Sequence, residues 1–406
     1  MLRFLTAGES HGQALVVILE GMPAGLEVNE DAMTADLRRR QGGYGRGRRM
    51  AIESDRAQIL SGVRMGRTTG APIALIISNK DWPNWQRTMH VTPEPPPDAT
   101  GANRAPVTRP RPGHADLAGA LKYGHDDIRD VLERASARET AARVAAASLA
   151  RQLLGRFGIE VLSHVYAIGS VSLPEPLAVS AARVRAIPAD SPLHCADPEV
   201  EREMMRAIDA AKEAGDTLGG AFEVIVTGVP PGLGSYVHWD RKLDGRLAQA
   251  LMSIPAIKGV GIGKGPLVAS LPGSRIHDEI LPLDEEASGH PAMPVRRPTN
   301  NAGGLEGGVT NGEEIRISGF MKPIATLMKP LRSVDLTTMT ESPAAIERSD
   351  VCAVTAAAVV GEAMVALVVA DAFLEKFGGD SIAEIERTYA ATSAALRSRF
   401  PAPARS

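Results

Sequence analysis

The chain has 406 residues, enough to bury a sizeable core, and with 44% hydrophobic and 23% charged residues its composition excludes a disordered or fibrous protein. A net charge of −3 and an aromatic content of 4% disfavour nucleic acid and anionic membranes as partners, so small molecules are the expected ligands. Two cysteines, Cys195 and Cys352, are too few for a disulfide framework and indicate a reducing cytoplasm.

The first motif is GESHG at residues 8–12, which fits the G-x-S-x-G pattern of hydrolases. In those enzymes the serine needs a strand before it, a helix after it and an oxyanion loop upstream. The residues after Gly12 include ALVVIL, which favours a strand, and only seven residues precede the motif. The context therefore favours His11 over Ser10 as the reactive residue, and a hydrolase or phosphatase that uses Ser10 stays as an alternative.

The predicted strands are short runs rich in β-branched residues, and helical segments lie between them without strict alternation. No strand is followed by the G-x-G-x-x-G turn of dinucleotide-binding folds. This order predicts an α+β fold in a single large domain. The strand segments are QALVVIL at 13–19, AQILSGV at 57–63, APIALII at 71–77, FEVIVTG at 222–228 and EIRISGF at 314–320.

Two amphipathic helices are predicted where apolar residues recur at helical spacing. The first covers residues 138–154. The second covers residues 198–214, with Asp197 as its N-cap and Gly215 as its stop. Both helices are of ordinary length for a globular protein.

A third helix is predicted in the apolar, alanine-rich segment that begins at Val351. Its length suggests a membrane span, but Glu362 lies near its middle. A charged residue is costly inside a bilayer, so we predict a buried core helix instead. Ser349 or Asp350 is expected to cap this helix, and FGGD at 377–380 is expected to end it.

An arginine-rich segment near residues 40–50 surrounds a flexible Gly-Gly-Tyr-Gly turn. A solvated basic face is the usual explanation of such a run, and nucleic acid is the next. In a net-acidic chain with few aromatic residues, a small anion that carries phosphate or carboxylate groups is the favoured partner. The arginines are Arg38, Arg39, Arg40, Arg46, Arg48 and Arg49.

Two further motifs combine cations with a turn or a helix start. RPRPGHAD holds His114 after a Pro-Gly turn, with Arg109 and Arg111 beside it, at the end of a long predicted loop near 90–113. The motif ERASARET is expected to place three residues at a helix N-terminus, where free backbone N–H groups favour an anion. These three residues are Arg134, Ala135 and Ser136.

The last third of the chain adds a loop near 282–304 and three small motifs. NAGGLEGGVTNG at 301–312 allows the backbone to approach a flat ligand closely. KPIATL at 322–327 offers an ammonium and a hydroxyl, and ERSD at 347–350 offers an arginine and a carboxylate. Together the motifs predict a large pocket for an anionic ligand, with two histidines, one carboxylate and a glycine-lined wall.

In this order the motifs resemble the chorismate synthase family over nearly the whole chain. The resemblance rests on GESHG, RRRQGGYGRGRRM, SGVRMGRTTGAPIAL, RPGHADLAGALKY, SARETAARVA, GGLEGGVTNG and KPIATL. It implies a β-α-β sandwich, in which a helical layer lies between antiparallel sheets, as one catalytic domain over residues 1–406. It also implies a cytoplasmic homotetramer.

The activity that the resemblance implies is that of a carbon–oxygen lyase acting on phosphates. Such an enzyme eliminates phosphate and a ring proton in 1,4-anti fashion from 5-enolpyruvylshikimate-3-phosphate to give chorismate. This is the last common step of the shikimate pathway to the aromatic amino acids, and it depends on reduced FMN. NADPH is implied as an indirect electron source through an external flavin reductase.

The resemblance further implies roles for single residues. His11 would protonate the departing phosphate, His114 would donate a proton to the reduced flavin ring, and Asp350 would assist removal of the ring proton of the substrate. The residues implied to bind substrate or NADPH are Arg40, Arg46, Arg48 and Ser10. Those implied to bind FMN are Arg134, Ala135, Ser136, Pro255, Ala256, Gly307, Lys322, Pro323, Ile324, Ala325, Thr326 and Arg348.

Besides the hydrolase, two alternatives stay open. One is a different flavin protein on the same fold. The other is an RNA-binding protein that uses the arginine run, which the net charge and the low aromatic content disfavour.

Overall fold

Antiparallel sheets and packed helices make up the computed structural model, which describes residues 1–47, 54–175, 178–283, 289–347 and 350–400. The strands are β1 Arg3–Ala7, β2 Ala14–Glu20, β3 Gln58–Ile59, β4 Val63–Arg64, β5 Arg67–Thr68, β6 Ile73–Ser78, β7 Glu160–Ile168, β8 Val171–Ser172, β9 Gly220–Thr227, β10 Ile257–Ile262, β11 Leu281–Pro282, β12 Val295–Arg296, β13 Leu305–Glu306, β14 Val309–Thr310, β15 Ile315–Met321, β16 Arg332–Asp335 and β17 Thr340–Pro343. The helices are α1 Glu30–Gln41, α2 Asp116–Tyr123, α3 Arg129–Arg134, α4 Thr140–Gly155, α5 Ala181–Arg185, α6 Pro198–Glu213, α7 Leu243–Met252, α8 Val354–Phe377 and α9 Ile382–Ser398.

The first large sheet joins β1, β2, β6 and β3 in that order through antiparallel pairs. On β2 the side chains of Leu15, Val17 and Leu19 are buried, and the residues between them are more exposed. This period of two arises because the pleat of a strand sends successive side chains to opposite faces. One face of the sheet therefore lies in the core, and the other faces outward.

The second large sheet has the order β10, β15, β9, β7, β8, with antiparallel pairs throughout. Its central strand β9 is buried on both faces from residue 221 to residue 226. A strand that is covered on both faces carries a continuous apolar run, as most of this segment does. The exception is Glu223, whose carboxylate accepts hydrogen bonds from Arg316 of β15 at 2.6 and 3.0 Å.

Three helices connect the two sheets in one hydrophobic core. Helices α1, α4 and α8 pack together, α4 also contacts β2, β6 and β7, and α8 contacts β7 and β9. Helix α4 is buried on almost every side because alanines occupy positions where larger side chains would not fit between such close neighbours. The chain is thus a single mixed domain of helices and sheets.

Helix α8 has the length and apolar composition of a membrane span, but 89% of its most apolar window is buried inside the protein. Its Glu362 is 1% exposed and accepts hydrogen bonds from Arg39 of α1 and from Ser163 of β7. A buried carboxylate that is bonded by side chains from neighbouring elements is typical of a protein interior. The prediction of a buried core helix is confirmed.

Most predicted elements are found where the sequence places them. Strands β2, β6, β9 and β15 and helices α4 and α6 confirm their predictions, and Asp197 caps α6 by accepting two backbone N–H groups. The segment 57–63 is divided between β3 and β4, because the chain turns at Gly62, whose φ is +78°. A Cβ atom at this position would lie 2.6 Å from the side chain of Ile73. Among the longer elements, strands β1, β7 and β10 and helices α1, α7 and α9 were not predicted.

The predicted cap of α8 is wrong for Asp350. The helix starts at Val354, and its N-cap residue Ala353 makes no side-chain cap hydrogen bond. Asp350 lies three residues before this cap and accepts the backbone N–H of Gly47 at 2.6 Å. Ser349 lies outside the described residues. The carboxylate is therefore used to hold the arginine-rich loop and not the helix end.

Candidate active site

The GESHG motif forms the loop between the antiparallel strands β1 and β2. Gly8 has φ +105°, and a Cβ atom there would lie 2.3 Å from the carbonyl oxygen of Ala14, so glycine is required at this turn. A strand follows the serine, and no helix does. The loop therefore lacks the strand-to-helix turn that a serine nucleophile of the hydrolase type needs.

The imidazole ring of His11 contacts a carboxylate at one edge and an indole ring on one face. Its Nδ1 atom lies 2.8 Å from Oε1 and 3.1 Å from Oε2 of Glu133, and its backbone N–H donates to Oε2 at 2.8 Å. Trp85 stacks on the imidazole with the ring centroids 3.8 Å apart and the planes 18° from parallel. These contacts fix the ring and leave Nε2 as the nitrogen without a described partner.

The segment 134–136 is joined to the same loop. The hydroxyl of Ser10 donates to Oγ of Ser136 at 3.0 Å. The guanidinium of Arg134 donates to the carbonyl oxygens of Gly8 and Thr6, both at 2.9 Å. The predicted helix N-terminus is only partly correct, because Arg134 ends α3, whereas Ser136 caps the short 3-10 turn that leads into α4.

Two buried arginines share one carboxylate behind the loop. Nη2 of Arg40 lies 3.0 Å from Asp55, and Nη1 of Arg138 lies 2.6 and 2.7 Å from its two oxygens. Burial lowers the pKa of Arg40 to about 10; Asp55 opposes this shift, while Arg138 and Arg46 add to it. The cluster carries more positive than negative charge in a dry environment, which favours an added anion.

This cluster is connected to GESHG through Asn79. Nε of Arg138 donates to the side-chain oxygen of Asn79 at 3.0 Å. The amide of Asn79 then donates to the carbonyl oxygens of Glu9 at 3.2 Å and Gly12 at 2.7 Å. The arginine cluster and the His11 loop thus form one hydrogen-bonded unit.

The arginine-rich loop meets the start of the α8 segment. Nε of Arg46 lies 3.4 Å from the carboxylate of Asp350, and the backbone N–H of Val351 donates to the carbonyl oxygen of Gly45 at 2.8 Å. Two predicted site residues are therefore brought together from positions far apart in the sequence. The predictions for Arg48 and Arg348 fall outside the described residues.

His114 belongs to a second histidine–carboxylate pair. Its Nδ1 lies 2.5 Å from Oδ1 of Asp116, and Arg111 donates to the same carboxylate at 2.8 Å and to the hydroxyl of Thr326 at 3.0 Å. Burial by itself raises the pKa of Asp116, but hydrogen bonds from His114 and Arg111 outweigh it and hold the pKa well below its usual range. An ionised carboxylate therefore orients His114.

The predicted cofactor segments 255–256 and 322–326 are neighbours. The backbone N–H of Lys322 donates to the carbonyl oxygen of Ala256 at 3.0 Å, and Ala256 adopts φ +70°. Burial and the nearby Lys258 lower the pKa of Lys322. The carbonyl oxygen of Ile324 accepts the hydroxyl of Thr217 at 2.8 Å. Pro323 and Ala325 complete the segment.

A cavity of about 210 Å³ lies where two of the predicted cofactor segments meet. It is lined by Arg134, Ala135, Glu139, Arg143 and Pro255. Arg143 bonds Ser253 at 2.9 Å and lies 2.7 Å from one oxygen of Glu139. The second oxygen of Glu139 is buried and has no hydrogen-bond partner among the described residues.

Gly307 is also predicted to bind the cofactor, but no described contact joins it to the segments 134–136, 255–256 or 322–326. It lies in the turn between β13 and β14 with φ +62°, where an added Cβ would meet only Tyr236, at 4.0 Å. The turn is therefore open on the side where a side chain would stand.

Several residues that shape the site were missed by the sequence reasoning. Glu133, Asp116 and Asp55 are carboxylates that hold the predicted histidines and arginines, and Trp85 covers His11. Asp116 carried the clearest signal, because it follows His114 by two residues within the motif itself. Glu133 opens the ERASARET motif, but nothing in that motif points to His11, and Asp55 and Trp85 lie in segments that the sequence analysis did not single out.

Loops around the packed α+β core present two histidine–carboxylate pairs beside buried arginines, an arrangement suited to an enzyme that applies acid–base chemistry to an anionic small molecule. The family model described as chorismate synthase matches residues 2–374. The chorismate synthase of Moorella thermoacetica is 59% identical over 391 residues, covering 96% of this chain and 98% of the relative. That of Geobacter metallireducens is 57% identical over 390 residues, with the same coverage.

A crystal structure of a chorismate synthase is also similar to the whole chain. Its TM-score is 0.76 at 41% sequence identity, and the alignment covers 98% of both chains. The chain therefore belongs to the chorismate synthase family. It is accordingly an enzyme of the lyase class.

Proposed function

We propose that this chain converts 5-enolpyruvylshikimate-3-phosphate to chorismate by 1,4-anti elimination of phosphate, with reduced FMN as cofactor. The observation that carries the proposal is the hydrogen-bonded unit of His11, Arg40 and Arg138 around GESHG, because it combines a proton donor with buried cations. The substrate carries two carboxylates and a phosphate, which guanidinium groups bind in bidentate fashion. The family membership agrees with this chemistry.

The residues around the cavity fit a flavin. Arg134, Ala135 and Pro255 line the cavity, and the unpartnered oxygen of Glu139 can accept an N–H or O–H group. Lys322 and Thr326 supply an ammonium and a hydroxyl for a phosphate. When bound, reduced FMN supplies the electron-rich ring that makes loss of an allylic phosphate feasible.

Three roles fall to the arginines and the two histidines of the site. Arg40, with Arg46 and Arg138, binds the anionic groups of the substrate and holds it in a site shielded from water. His11 gives the proton on Nε2 to an oxygen of the departing phosphate, which makes phosphate a better leaving group. His114, fixed by Asp116, holds a proton on the cofactor side of the site.

Asp350 is the carboxylate that we assign to the ring proton of the substrate. It lies beside Arg46, so its charge is balanced before the substrate enters. Ser10 and Ser136 connect the His11 loop to the cofactor segment through their hydroxyls. Arg48, Arg348 and Gly307 complete the proposed ligand contacts by family resemblance.

The test of these assignments is a pair of substitutions with a matched control. We expect His11→Asn and His114→Asn each to lower kcat on the order of 10²-fold, the effect of losing a general acid. His125→Asn changes a partly exposed histidine outside the site and should keep the wild-type kcat. Wild-type kcat in His11→Asn and His114→Asn would refute the assigned roles.

We further propose that the catalytic unit extends over residues 1–406 as a β-α-β sandwich, bordered by loops near 40–50, 90–113 and 282–304. The helices α1, α4 and α8 would be the middle layer, which agrees with the contacts of α4 to strands of both sheets. NADPH would supply electrons indirectly, through an external flavin reductase. The enzyme would act in the cytoplasm, where its two free, buried cysteines stay reduced.

A homotetramer is part of the same proposal. On the outer face of the first sheet, Leu5 of β1 and Ile18 of β2 are directly opposed, and they are 71% and 44% exposed. Apolar side chains paired on an open sheet face favour coverage by another copy. Light scattering should give four times the mass of one chain, and the mass of a monomer would contradict the assembly.

A further inference from the structure

The strongest unassigned feature of the site is the side chain of Glu133. It is fully buried, and all of its described hydrogen bonds go to His11. The backbone of Glu133 holds the neighbouring residue as well, because its carbonyl oxygen accepts the N–H of Ser10 at 3.0 Å. One residue of α3 thus fixes both the backbone and the imidazole of the His11 loop.

The other side of the imidazole is closed by Trp85. The indole is itself held, because its N–H donates to Asp81 at 3.0 Å and the guanidinium of Arg104 lies 4.0 Å from the ring centroid. Carboxylate on the edge and indole on the face leave His11 little freedom to rotate. The orientation of Nε2 is therefore set by groups outside the predicted site.

We propose that Glu133 is the positioning residue for His11, an inference that rests on the proposed function of His11 as the acid. The carboxylate accepts Nδ1–H, which fixes the tautomer and makes Nε2 the nitrogen that exchanges the proton. It also stabilises the imidazolium, because in the described part of the chain this buried carboxylate has no other ion-pairing partner.

The proton balance of the step follows from this pair. The Nε2–H bond of His11 breaks, its electron pair stays on Nε2, and an O–H bond forms on the departing phosphate. The Glu133 carboxylate then lacks a positive partner in a dry environment, which is unfavourable. The pair therefore takes a proton back from solvent, and His11 is restored for the next turnover.

Glu133→Gln tests the inference because it keeps the size of the side chain and removes the charge. We expect kcat to fall by about 10-fold to 100-fold, the range for a misplaced reacting group, with a change in KM below about 3-fold. The alkaline limb of the pH–rate profile should move to lower pH, because the imidazolium loses an adjacent negative charge. Glu133→Asp, which restores the charge at a slightly greater distance, should recover the position of that limb.

The chain contains a matched control in Glu223. This residue is fully buried and contacts a histidine, with Oε2 at 3.1 Å from Nε2 of His164, and it also binds Arg316. Glu223→Gln should lower thermal stability but leave the alkaline limb of the profile at the wild-type position. A shift of the limb in both variants would show that loss of packing causes it, and would overturn the inference.

A double-substitution cycle separates this inference from the proposed role of His11. His11→Asn keeps an N–H toward Glu133 and removes Nε2, so Glu133→Gln should have no further effect on kcat in that background. An equal loss of kcat in both backgrounds would overturn the inference while leaving the role of His11 intact. Wild-type kcat in His11→Asn would instead refute the role of His11.

A spectroscopic measurement completes the test without using activity. In ¹⁵N-histidine NMR spectra, we expect the His11 signal, assigned by its loss in His11→Asn, to show the Nδ1–H form at high pH. In Glu133→Gln the same signal should show a mixture of tautomers. Identical His11 spectra in the two proteins would overturn the inference.

Discussion

The Glu362→Gln substitution removes the charge at the centre of the ion-pair network between α1, α4 and α8. Glu362 accepts hydrogen bonds from Arg39 at 2.7 and 2.8 Å and from Ser163 at 2.7 Å, and Nη1 of Arg151 lies 3.1 Å away. Glutamine has the same size but replaces one acceptor oxygen by an NH₂ group that faces guanidinium N–H groups. The two arginines lose a negative partner inside the protein.

The expected cost follows from what remains around the arginines. Removing one partner of a buried ion pair costs about 3 to 5 kcal/mol, because the other charge is left uncompensated. Asp36 stays 2.6 Å from Arg151 and 3.7 Å from Arg39, so we expect the lower end, about 3 kcal/mol. For 406 residues with an unfolding entropy of roughly 2.1 cal/mol/K each, Tm should fall by roughly 3 to 4 °C.

The same carboxylate predicts a pH dependence of stability. Burial alone raises the pKa of Glu362, but Arg39 and Arg151 outweigh it and lower the pKa from 4.5 to about 2. A group with a lowered pKa in the folded state stabilises fully above its unfolded value and loses this contribution as pH falls toward its folded value. Between pH 4.5 and pH 2, the Tm of the wild type should therefore fall more steeply than that of Glu362→Gln.

Urea denaturation at pH 7 and scanning calorimetry from pH 2 to pH 7 provide the measurement. Glu386→Gln is the control, since its ion pair with Arg156 lies on the surface and should contribute less than about 1 kcal/mol. If Glu362→Gln unfolds at the same urea concentration as Glu386→Gln, the buried network does not stabilise the fold and the reasoning is refuted.

Three further predictions concern packing, capping and thiol reactivity. Gly361→Ala places a Cβ atom 2.5 Å from the ring of Phe222. The free energy of unfolding, measured in urea, should therefore fall by about 1 to 3 kcal/mol, and an unchanged midpoint would contradict the close packing. Asp197→Ala removes the acceptor of two N–H groups at the start of α6 and should lower the urea midpoint of unfolding, whereas Asp197→Asn should lower it much less; equal midpoints in the two variants would contradict the capping role. Burial raises the pKa of Cys195 and Cys352 to about 11, so both should react with a thiol reagent at pH 8 far more slowly in native protein than in denaturant; rapid native labelling would contradict their burial.

Local patterns in the sequence predicted those helices and strands whose capping residues and apolar spacing lie within one segment. Helix α6 was found with its N-cap because Asp197, Pro198 and the apolar spacing are signals within one segment. The burial of α8 was found because Glu362 is incompatible with a bilayer centre. Strands β2 and β6 were found from their apolar runs. In each case the deciding residues lie within about 20 positions of each other in the sequence.

The partners of the site residues could not be found in this way. Glu133 lies 122 positions from His11, and no spacing rule relates the two residues before the fold brings them together. Asp55 is likewise an ordinary surface-type residue in sequence, and becomes the shared partner of Arg40 and Arg138 only through tertiary packing. The predicted cap of α8 was wrong for the same reason, because the carboxylate of Asp350 accepts a hydrogen bond from Gly47, which lies in a loop distant in the sequence.

The most direct test of the central claim is turnover by the purified protein without oxygen. Photoreduced FMN and 5-enolpyruvylshikimate-3-phosphate are mixed with the enzyme, and chorismate absorbance and released phosphate are followed together. We predict equal amounts of chorismate and phosphate with reduced FMN, and neither product with oxidised FMN. Phosphate release without chorismate would contradict the account and indicate a phosphatase, and chorismate formation with oxidised FMN would contradict the cofactor assignment.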